Sequence, residues 1–272
     1  DDAYAQALRM LQSTKQINKE LAIVYTPLHG SGLKPTERGL KDFGFSNFYI
    51  VEEQAIQDGD FPTVTYPNPE EADAFKLAIE LGGKVGAQIL LATDPDADRL
   101  GVAVLDDGEY KLLSGNQLGA LLLNYLLQSK KVPANAAMIK TIVTSELGAA
   151  IANKYGVPTI NTLTGFKYIA EKIAEWEQSG EHTFIFGYEE SYGYLAGDFV
   201  RDKDAVQIAV LTAEMVAFYK EQGKTLIAVL NECYEELGWY KEALVSLSFD
   251  GMEGQKKIVS IMEKIRKNPP MY

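Results

Sequence analysis

The sequence QILLATDPDADRLGVAV, residues 88–104, decides the fold of this chain. Residues 89–92 form a short apolar run suited to a buried central strand. Asp94, Asp96 and Asp98 follow at alternate positions, and Arg99 and a second apolar run come next. Open α/β sheets bind ligands at the carboxyl ends of their strands, where these three acids fall. The stretch therefore predicts an acidic binding loop at the end of a strand.

Three ionised carboxylates this close would repel one another unless a cation lay between them. A divalent cation removes that repulsion, and carboxylate oxygens are ligands that Mg²⁺ prefers. We therefore predict a Mg²⁺ site at Asp94, Asp96 and Asp98; the alternative is a solvated acidic turn. An EF-hand is excluded, because the sixth position counted from Asp94 is Arg99 rather than glycine, and the twelfth is Leu105 rather than glutamate.

The composition is that of an ordinary globular protein, with 46% hydrophobic and 24% charged residues. The chain of 272 residues is long for a single hydrophobic core and is long enough for two. A formal net charge of −12 argues against a nucleic-acid or anionic-membrane surface. Cys233 is the single cysteine, so an internal disulfide is impossible. Because no stretch resembles a signal peptide or membrane span, we expect a cytoplasmic protein without nucleic-acid or membrane partners.

Strands and helices alternate in both halves of the chain. The first half has predicted strands at 21–25, 48–51 and 89–92, with helices at 36–43 and 71–81. The second half has predicted strands at 138–143, 159–163 and 183–186, with helices at 118–127, 146–155, 167–177 and 205–219. Such alternation is typical of βαβ crossovers and parallel sheets. We predict an α/β fold of two similar three-layer αβα domains with mixed, largely parallel sheets.

We predict four parts along the chain. They are a linker helix at 1–20, a first domain at 21–106, a second domain at 107–223 and a linker at 224–272. The turn signal Asp106-Asp107-Gly108 sets the boundary between the two domains. The last part contains a predicted helix at 226–237, a strand-like run at 243–249 and a helix at 254–266.

The third predicted strand of the second domain also ends in a polar loop, GYEESYG at residues 187–193. Neighbouring side chains of an extended loop point to opposite sides, so Glu189 and Glu190 make a poor acid–base pair. One glutamate and Ser191 would face the same side and could bind adjacent hydroxyls of a sugar. The alternative is a solvated loop.

Three other residues are weaker candidates. Lys167 follows Gly165 at a helix start, where anions are favoured, but it could be an ordinary surface lysine. His29 could instead be a structural histidine with satisfied hydrogen bonds, which is the better interpretation of the residue by itself. Lys203 belongs to the mixed-charge turn at 201–204, which could be a solvated helix cap. Nucleotide cofactors are not expected, because neither a Walker A nor a GxGxxG pattern occurs.

Together these stretches resemble the α-D-phosphohexomutase superfamily of phosphoglucomutases and phosphomannomutases. The matching segments are residues 94–99 and 187–193, supported by 26–30, 164–167 and 201–204. Members have four domains, and the resemblance implies that this chain covers the second and third. The first domain's phosphoserine loop and the fourth domain's phosphate clamp have no counterpart in the sequence, so we expect this chain alone to be inactive.

The resemblance implies an isomerase that interconverts hexose 1-phosphate and hexose 6-phosphate, with glucose the expected hexose. The reaction passes through a phosphoserine and a bisphosphorylated sugar. Expected partners are hexose phosphate, hexose bisphosphate and the missing first and fourth domains. The implied residue roles are metal binding by Asp94, Asp96 and Asp98, substrate binding by Glu189, Ser191 and Lys167, and catalysis by Arg99, Lys203 and His29.

Two alternatives remain at this point. A haloacid-dehalogenase-type phosphatase also uses aspartates after a strand, but its DxDx[TV] pattern needs threonine or valine where this chain has Asp98. A non-catalytic module could bind a metal and a sugar phosphate without reaction.

Overall fold

The computed structural model describes residues 1–13, 17–243 and 247–270. The chain divides into two compact units, Asp1–Tyr240 and Lys241–Tyr272. The first unit holds both β-sheets and every candidate site residue. The second unit contains one helix in its described part, Gly251–Lys267.

In the described part of the chain, the first sheet has five strands in the spatial order β2-β1-β3-β4-β5. The strands are β1 (Ile23–Thr26), β2 (Phe48–Ile50), β3 (Ile89–Thr93), β4 (Leu100–Asp106) and β5 (Glu109–Leu113). β1 pairs in parallel with β2 and β3, whereas β4 and β5 run antiparallel to their neighbours. The helices of this half are α1 (Asp2–Met10), α2 (Leu33–Asp42), α3 (Glu52–Ala55), a 3₁₀ helix (Ala72–Phe75) and α4 (Lys76–Val85).

Across its described strands, the second sheet has the order β7-β6-β8-β9. Its strands are β6 (Ala136–Thr141), β7 (Thr159–Thr162), β8 (Thr183–Tyr188) and β9 (Tyr194–Leu195). β6 pairs in parallel with β7 and β8, and β9 is antiparallel to β8. The helices are α5 (Gly115–Ser129), α6 (Glu146–Lys154), α7 (Phe166–Ser179), α8 (Ala205–Glu221) and α9 (Leu226–Leu237). The predicted fold class, two αβα domains with mixed, largely parallel sheets, is confirmed.

Helix α8 connects the two domains. Thirteen of its seventeen residues are buried, so it is apolar on nearly every side rather than amphipathic. It packs against α2, β3 and β4 of the first domain and against α5, α9 and β9 of the second. A continuous hydrophobic cluster contains residues of both sheets and of α8. The two sheets therefore share one core.

The turn signal at 106–108 forms a hairpin, which was not predicted. It joins two strands of the same sheet, because β5 returns antiparallel to β4. Asp107 and Gly108 both have positive φ, 50° and 83°, as the two central residues of a type I′ hairpin turn require. Residues 109–113, which follow the predicted boundary, thus pair with β4 in the first sheet.

The predicted helix at 1–20 is also too long. α1 ends at Met10, and the backbone N–H of Ser13 donates to the Glu214 carboxylate on α8 at 3.0 Å, so the chain has left the helix there. Helix α9, predicted as part of a linker at 224–272, packs against α5, α6 and α8 inside the first unit. Residues 244–246 of the predicted strand-like run lie outside the described residues. The predicted helix at 254–266 is present as α10 (Gly251–Lys267).

Within the described ranges, every helix is too short or too polar to span a membrane.

Two helix glycines offer a matched test of packing between α5 and β8. A Cβ at Gly119 would overlap the ring of Tyr188, whereas a Cβ at Gly83 in α4 would meet open space. Both changes to alanine gain about 0.5–1 kcal/mol of helix propensity. We expect Gly83→Ala to be stabilising, and Gly119→Ala to be destabilising by roughly 1–3 kcal/mol because of overpacking. Urea unfolding of the two variants measures the difference, and equal stabilisation would contradict the close contact.

Candidate active site

Two loops from different domains meet at the carboxyl ends of β3 and β8. The first is the acidic loop, residues 94–99; the second is the β8 loop, residues 189–193. The backbone N–H of Leu100 donates to the Tyr192 carbonyl at 3.1 Å, and Arg99 and Gly193 form an antiparallel bridge. At the other side of the acidic loop, the N–H of Ala205 donates to the Ala97 carbonyl at 3.0 Å. Main-chain hydrogen bonds thus fix the acidic loop to the second domain.

The three aspartates of the acidic loop converge on one point. One carboxylate oxygen from each of Asp94, Asp96 and Asp98 lies within 4.8 Å of the others. Asp94 is 9% exposed, and its Oδ1 accepts the backbone N–H groups of Asp98 and Arg99 at 3.0 and 2.9 Å. Burial raises the pKa of Asp94 to about 7, and the charges of Asp98 and Asp96 add to the rise, against the opposing Arg99 N–H.

This arrangement fits a divalent cation. The Oδ1 atom of Asp98 is buried and has no hydrogen-bond partner among the described residues; the Arg99 Nε lies 3.7 Å away. A buried carboxylate oxygen without a close donor is costly unless a cation shares it. The three candidate ligand atoms are all carboxylate oxygens, which Mg²⁺ prefers. Ala97 adopts a left-handed φ of 59°, which turns the loop between two of the aspartates.

Two cationic side chains flank the aspartates. The Lys203 Nζ lies 2.9 Å from Asp98 Oδ2 and 3.0 Å from Asp202 Oδ1. Burial by itself lowers the pKa of Lys203, but these two partners outweigh it and the net direction is upward. The Arg99 guanidinium donates to Glu70 Oε1 at 3.0 Å. Both predicted cations therefore lie at the acidic loop.

The two glutamates of the β8 loop point to different neighbours. Glu189 is buried, and its Oε1 accepts the N–H of Gly165 at 2.9 Å. Burial raises the pKa of Glu189, while the Gly165 N–H and the charges of Lys203 and Arg99 act in the opposite direction. Glu190 Oε2 instead lies 3.2 and 3.1 Å from two threonine hydroxyls of the turn after β6, and Ser191 is half-buried.

His29 and Lys167 are placed differently from the other candidates. Both ring nitrogens of the buried His29 are paired, Nδ1 with the Ile56 carbonyl at 2.9 Å and Nε2 with Thr63 Oγ1 at 2.8 Å. This favours the structural alternative for the histidine. The Lys167 ammonium lies over the Tyr168 ring, 5.0 Å from its centroid, at the start of α7.

A loop after β1 supports the acidic loop from behind. The Ser31 N–H donates to the Pro95 carbonyl at 2.8 Å, and its hydroxyl donates to the same oxygen at 3.1 Å. A Cβ at Gly30 would overlap the backbone of Pro95, so only glycine permits this approach. The backbone of this loop thereby holds the acidic loop in place.

The loop at 58–70 contributed no candidate residue on sequence grounds, yet its residues lie beside the acidic loop. An open cleft of about 510 Å³ lies between that loop and the acidic loop. The cleft is lined on one side by Phe61, Thr65, Tyr66, Pro67 and Asn68, and on the other by Asp94, Pro95, Asp96, Asp98 and Arg99. The Pro-Asn-Pro-Glu segment at 67–70 was visible in the sequence, but nothing in it indicated that Glu70 would pair with Arg99.

Comparison with known proteins gives matches across most of the chain. The model for phosphoglucomutase/phosphomannomutase alpha/beta/alpha domain II matches residues 2–108, and that for domain III matches residues 114–237. Phosphoglucomutases of Staphylococcus haemolyticus and Staphylococcus aureus strain MSSA476 are each 43% identical over 252 residues, 92% of this chain. The chain spans about half the length of these relatives, 46% and 45%.

Solved structures resemble the fold. A Thermus thermophilus protein described as a candidate phosphomannomutase has a TM-score of 0.69 at 22% identity, covering 86% of this chain and 50% of its own. A phosphoglucomutase/phosphomannomutase family protein of Burkholderia thailandensis has a TM-score of 0.67 at 19% identity, covering 90% and 47%.

Removing one aspartate should weaken Mg²⁺ binding. We expect Asp96→Asn to reduce the affinity at least about tenfold, because one charged ligand is lost. Asp107→Asn is the control: Asp107 is exposed, carries the same charge and has a left-handed φ that asparagine tolerates. Calorimetric titration with MgCl₂ measures both variants, and equal affinities would contradict a cation site in the acidic loop.

Proposed function

This chain belongs to the phosphoglucomutase/phosphomannomutase family, and we propose that it supplies the metal-binding and sugar-binding parts of a site that interconverts hexose 1-phosphate and hexose 6-phosphate. The observation that carries the proposal is the main-chain junction between the acidic loop and the β8 loop. It joins the loop that carries the oxygen ligands directly to the loop that carries the proposed sugar-binding groups. The proposed hexose is glucose, as in the phosphoglucomutase relatives.

Asp94, Asp96 and Asp98 would hold Mg²⁺ in this proposal. When bound, the ion neutralises negative charge on the phosphoryl group being transferred. The loop prepares the ligands, because two backbone N–H groups already orient Asp94 and the 26–32 loop fixes Pro95. The aspartates therefore need little rearrangement to bind the ion.

Arg99 and Lys203 are the proposed cations for phosphoryl oxygens. Each is held by a carboxylate outside the trio, Arg99 by Glu70 and Lys203 by Asp202. These pairings position the positive charges while leaving further N–H groups to donate, since a guanidinium has five donors and an ammonium three. A fixed cation beside the transferring group stabilises its charge without reorganisation during the reaction.

Glu189 and Ser191 are the proposed sugar ligands. The Gly165 N–H occupies one lone pair of Glu189 Oε1, and a carboxylate has about four acceptor positions. The remaining positions can accept hydroxyl groups that a hexose presents in both of its orientations. Lys167 lies two residues after Gly165, at the start of α7. It is a proposed ligand for the sugar phosphate that is not being transferred.

His29 is proposed as a positioning residue instead of an acid–base catalyst. Its two ring nitrogens connect Ile56 and Thr63, and Gln54 also donates to the Thr63 hydroxyl at 3.1 Å. These bonds tie the β1 loop to the loop that forms the cleft wall. The histidine thus shapes the cleft.

A mutase must also donate a phosphate to the sugar monophosphate and, after the resulting bisphosphate has turned over, take back the other phosphate. We propose that a phosphoserine serves this purpose and that it belongs to the half of the relatives' length that this chain does not span. Boundaries near residue 106 and residue 223 between the metal-binding, sugar-binding and linker parts, and a cytoplasmic location, stay predictions from the sequence.

The family membership favours a mutase over the haloacid-dehalogenase alternative. That alternative would form an aspartyl phosphate on Asp94 and release inorganic phosphate. A non-catalytic module would bind the sugar phosphate without using the metal cluster for transfer.

Sugar binding should depend on Glu189. We expect Glu189→Gln to weaken binding of α-D-glucose 1-phosphate in the presence of Mg²⁺ by about tenfold, because a charged acceptor of sugar hydroxyls is lost. Mg²⁺ affinity should stay unchanged. Glu181→Gln, an exposed glutamate before the opposite end of β8, is the control. Calorimetry measures both ligands.

The same titrations separate the alternatives. A mutase site takes both isomers, so glucose 6-phosphate should compete with glucose 1-phosphate for one site. Release of inorganic phosphate would support the phosphatase, and equal binding by the Glu189 and Glu181 variants would contradict the sugar-binding assignment.

A further inference from the structure

The turn after β6 is held by a buried lysine. Lys140 is fully buried, and its Nζ donates to the Thr144 carbonyl at 3.0 Å and to Glu146 Oε1 at 2.8 Å, with the Thr141 carbonyl at 3.4 Å. A buried ammonium is costly unless its donors are satisfied. Here the satisfied donors close the turn at 141–144, so the lysine fixes the shape of the turn.

The turn presents two hydroxyl groups to one carboxylate oxygen. Thr141 Oγ1 and Thr144 Oγ1 lie 2.7 Å apart, and they lie 3.2 and 3.1 Å from Glu190 Oε2. Each hydroxyl has one proton to donate. One proton therefore bridges the two threonines, and the other is donated to Glu190. The three groups form a connected chain of hydrogen bonds with the acceptor-only carboxylate at its end.

The backbone of Glu190 is fixed as well. A Cβ at Gly115, the first residue of α5, would overlap the Glu190 carbonyl, so the β8 loop lies directly on the helix start. On one side of Glu190, Glu189 is bonded to Gly165; on the other, Tyr192 is bonded to Leu100 of β4. Glu190 is thus the anchored residue between the sugar-binding contact and the metal-binding domain.

We propose that Glu190 is a positioning residue, held by the Lys140–Thr141–Thr144 turn, that orients Glu189 and Ser191 toward the acidic loop. The inference rests on the proposed function, because it assigns sugar binding to Glu189 and Ser191. It gives the two adjacent glutamates separate tasks. Glu189 contacts the sugar, and Glu190 holds the loop from which Glu189 extends.

Threonine variants test whether the Thr141 and Thr144 hydroxyls hold Glu190, without changing a charge. The double variant Thr141→Val/Thr144→Val removes both hydroxyls at nearly constant volume, and Thr141→Ser/Thr144→Ser restores them. Thr183→Val is the control, since Thr183 begins β8 and donates to Asn135 Oδ1 at 2.9 Å at the opposite end of that strand. Thr144→Val alone serves if the double variant fails to fold.

The first readout is hydrogen–deuterium exchange of the amides at 189–193. We expect exchange there to accelerate about tenfold in the valine variant, with wild-type rates in the serine and Thr183 variants. The second readout is ligand affinity. Binding of α-D-glucose 1-phosphate should weaken about tenfold in the valine variant while Mg²⁺ binding is unchanged.

The outcomes distinguish local positioning of the β8 loop by the threonine hydroxyls from a general loss of stability in the second sheet. Unchanged exchange at 189–193 in a folded valine variant would overturn the proposal, as would equal acceleration across the second sheet that serine does not rescue. If the wild-type chain binds no glucose 1-phosphate, or Glu189→Gln has no effect on it, the proposed function fails. The exchange data then still decide whether the turn holds the loop.

Discussion

The structure depends on the backbone hydrogen bonds that tie the acidic loop to the second domain. The loop is short, and it is bonded across the domain boundary at two points, at its β4 end through Leu100 to Tyr192 and within the loop through Ala97 to Ala205. Helix α8 begins at the second of these contacts and packs against both sheets. Displacing the aspartates would therefore require breaking the junction and disturbing the start of a buried helix.

Electrostatic compensation decides where the charged groups of this junction lie. Three carboxylates within 4.8 Å repel one another, and burial adds a desolvation cost at Asp94. Backbone N–H groups, Lys203 and Arg99 reduce that cost, yet the buried Oδ1 of Asp98 still lacks a hydrogen bond within the described residues. Lys203 also pairs with Asp202, and Arg99 with Glu70, so neither positive charge is available to the aspartates alone. The arrangement consequently fits the divalent cation that we propose for this site.

Local patterns predicted the elements but not their contacts. The apolar run at 89–92 and the aspartates after it indicated β3 and the acidic loop because strand burial and loop chemistry are local properties. Pairing of Glu70 with Arg99, and of Glu190 with Thr144, joins segments 29 and 46 residues apart, and no pattern within either segment records it. The turn signal at 106–108 was recognised, but nothing in it indicated that residues 109–113 return as β5 of the first sheet.

The shared core also constrains how the proposed reaction can proceed. Both halves of the site belong to the unit Asp1–Tyr240, and one hydrophobic cluster runs through both sheets. Packed cores resist continuous deformation, so the distance between the aspartates and Glu189 is set by the fold. A hexose that presents first one and then the other of its phosphate-bearing carbons must therefore reorient while these protein groups stay in place. A carboxylate can accept hydroxyls without demanding one orientation, so the sugar-binding role proposed for Glu189 suits that requirement.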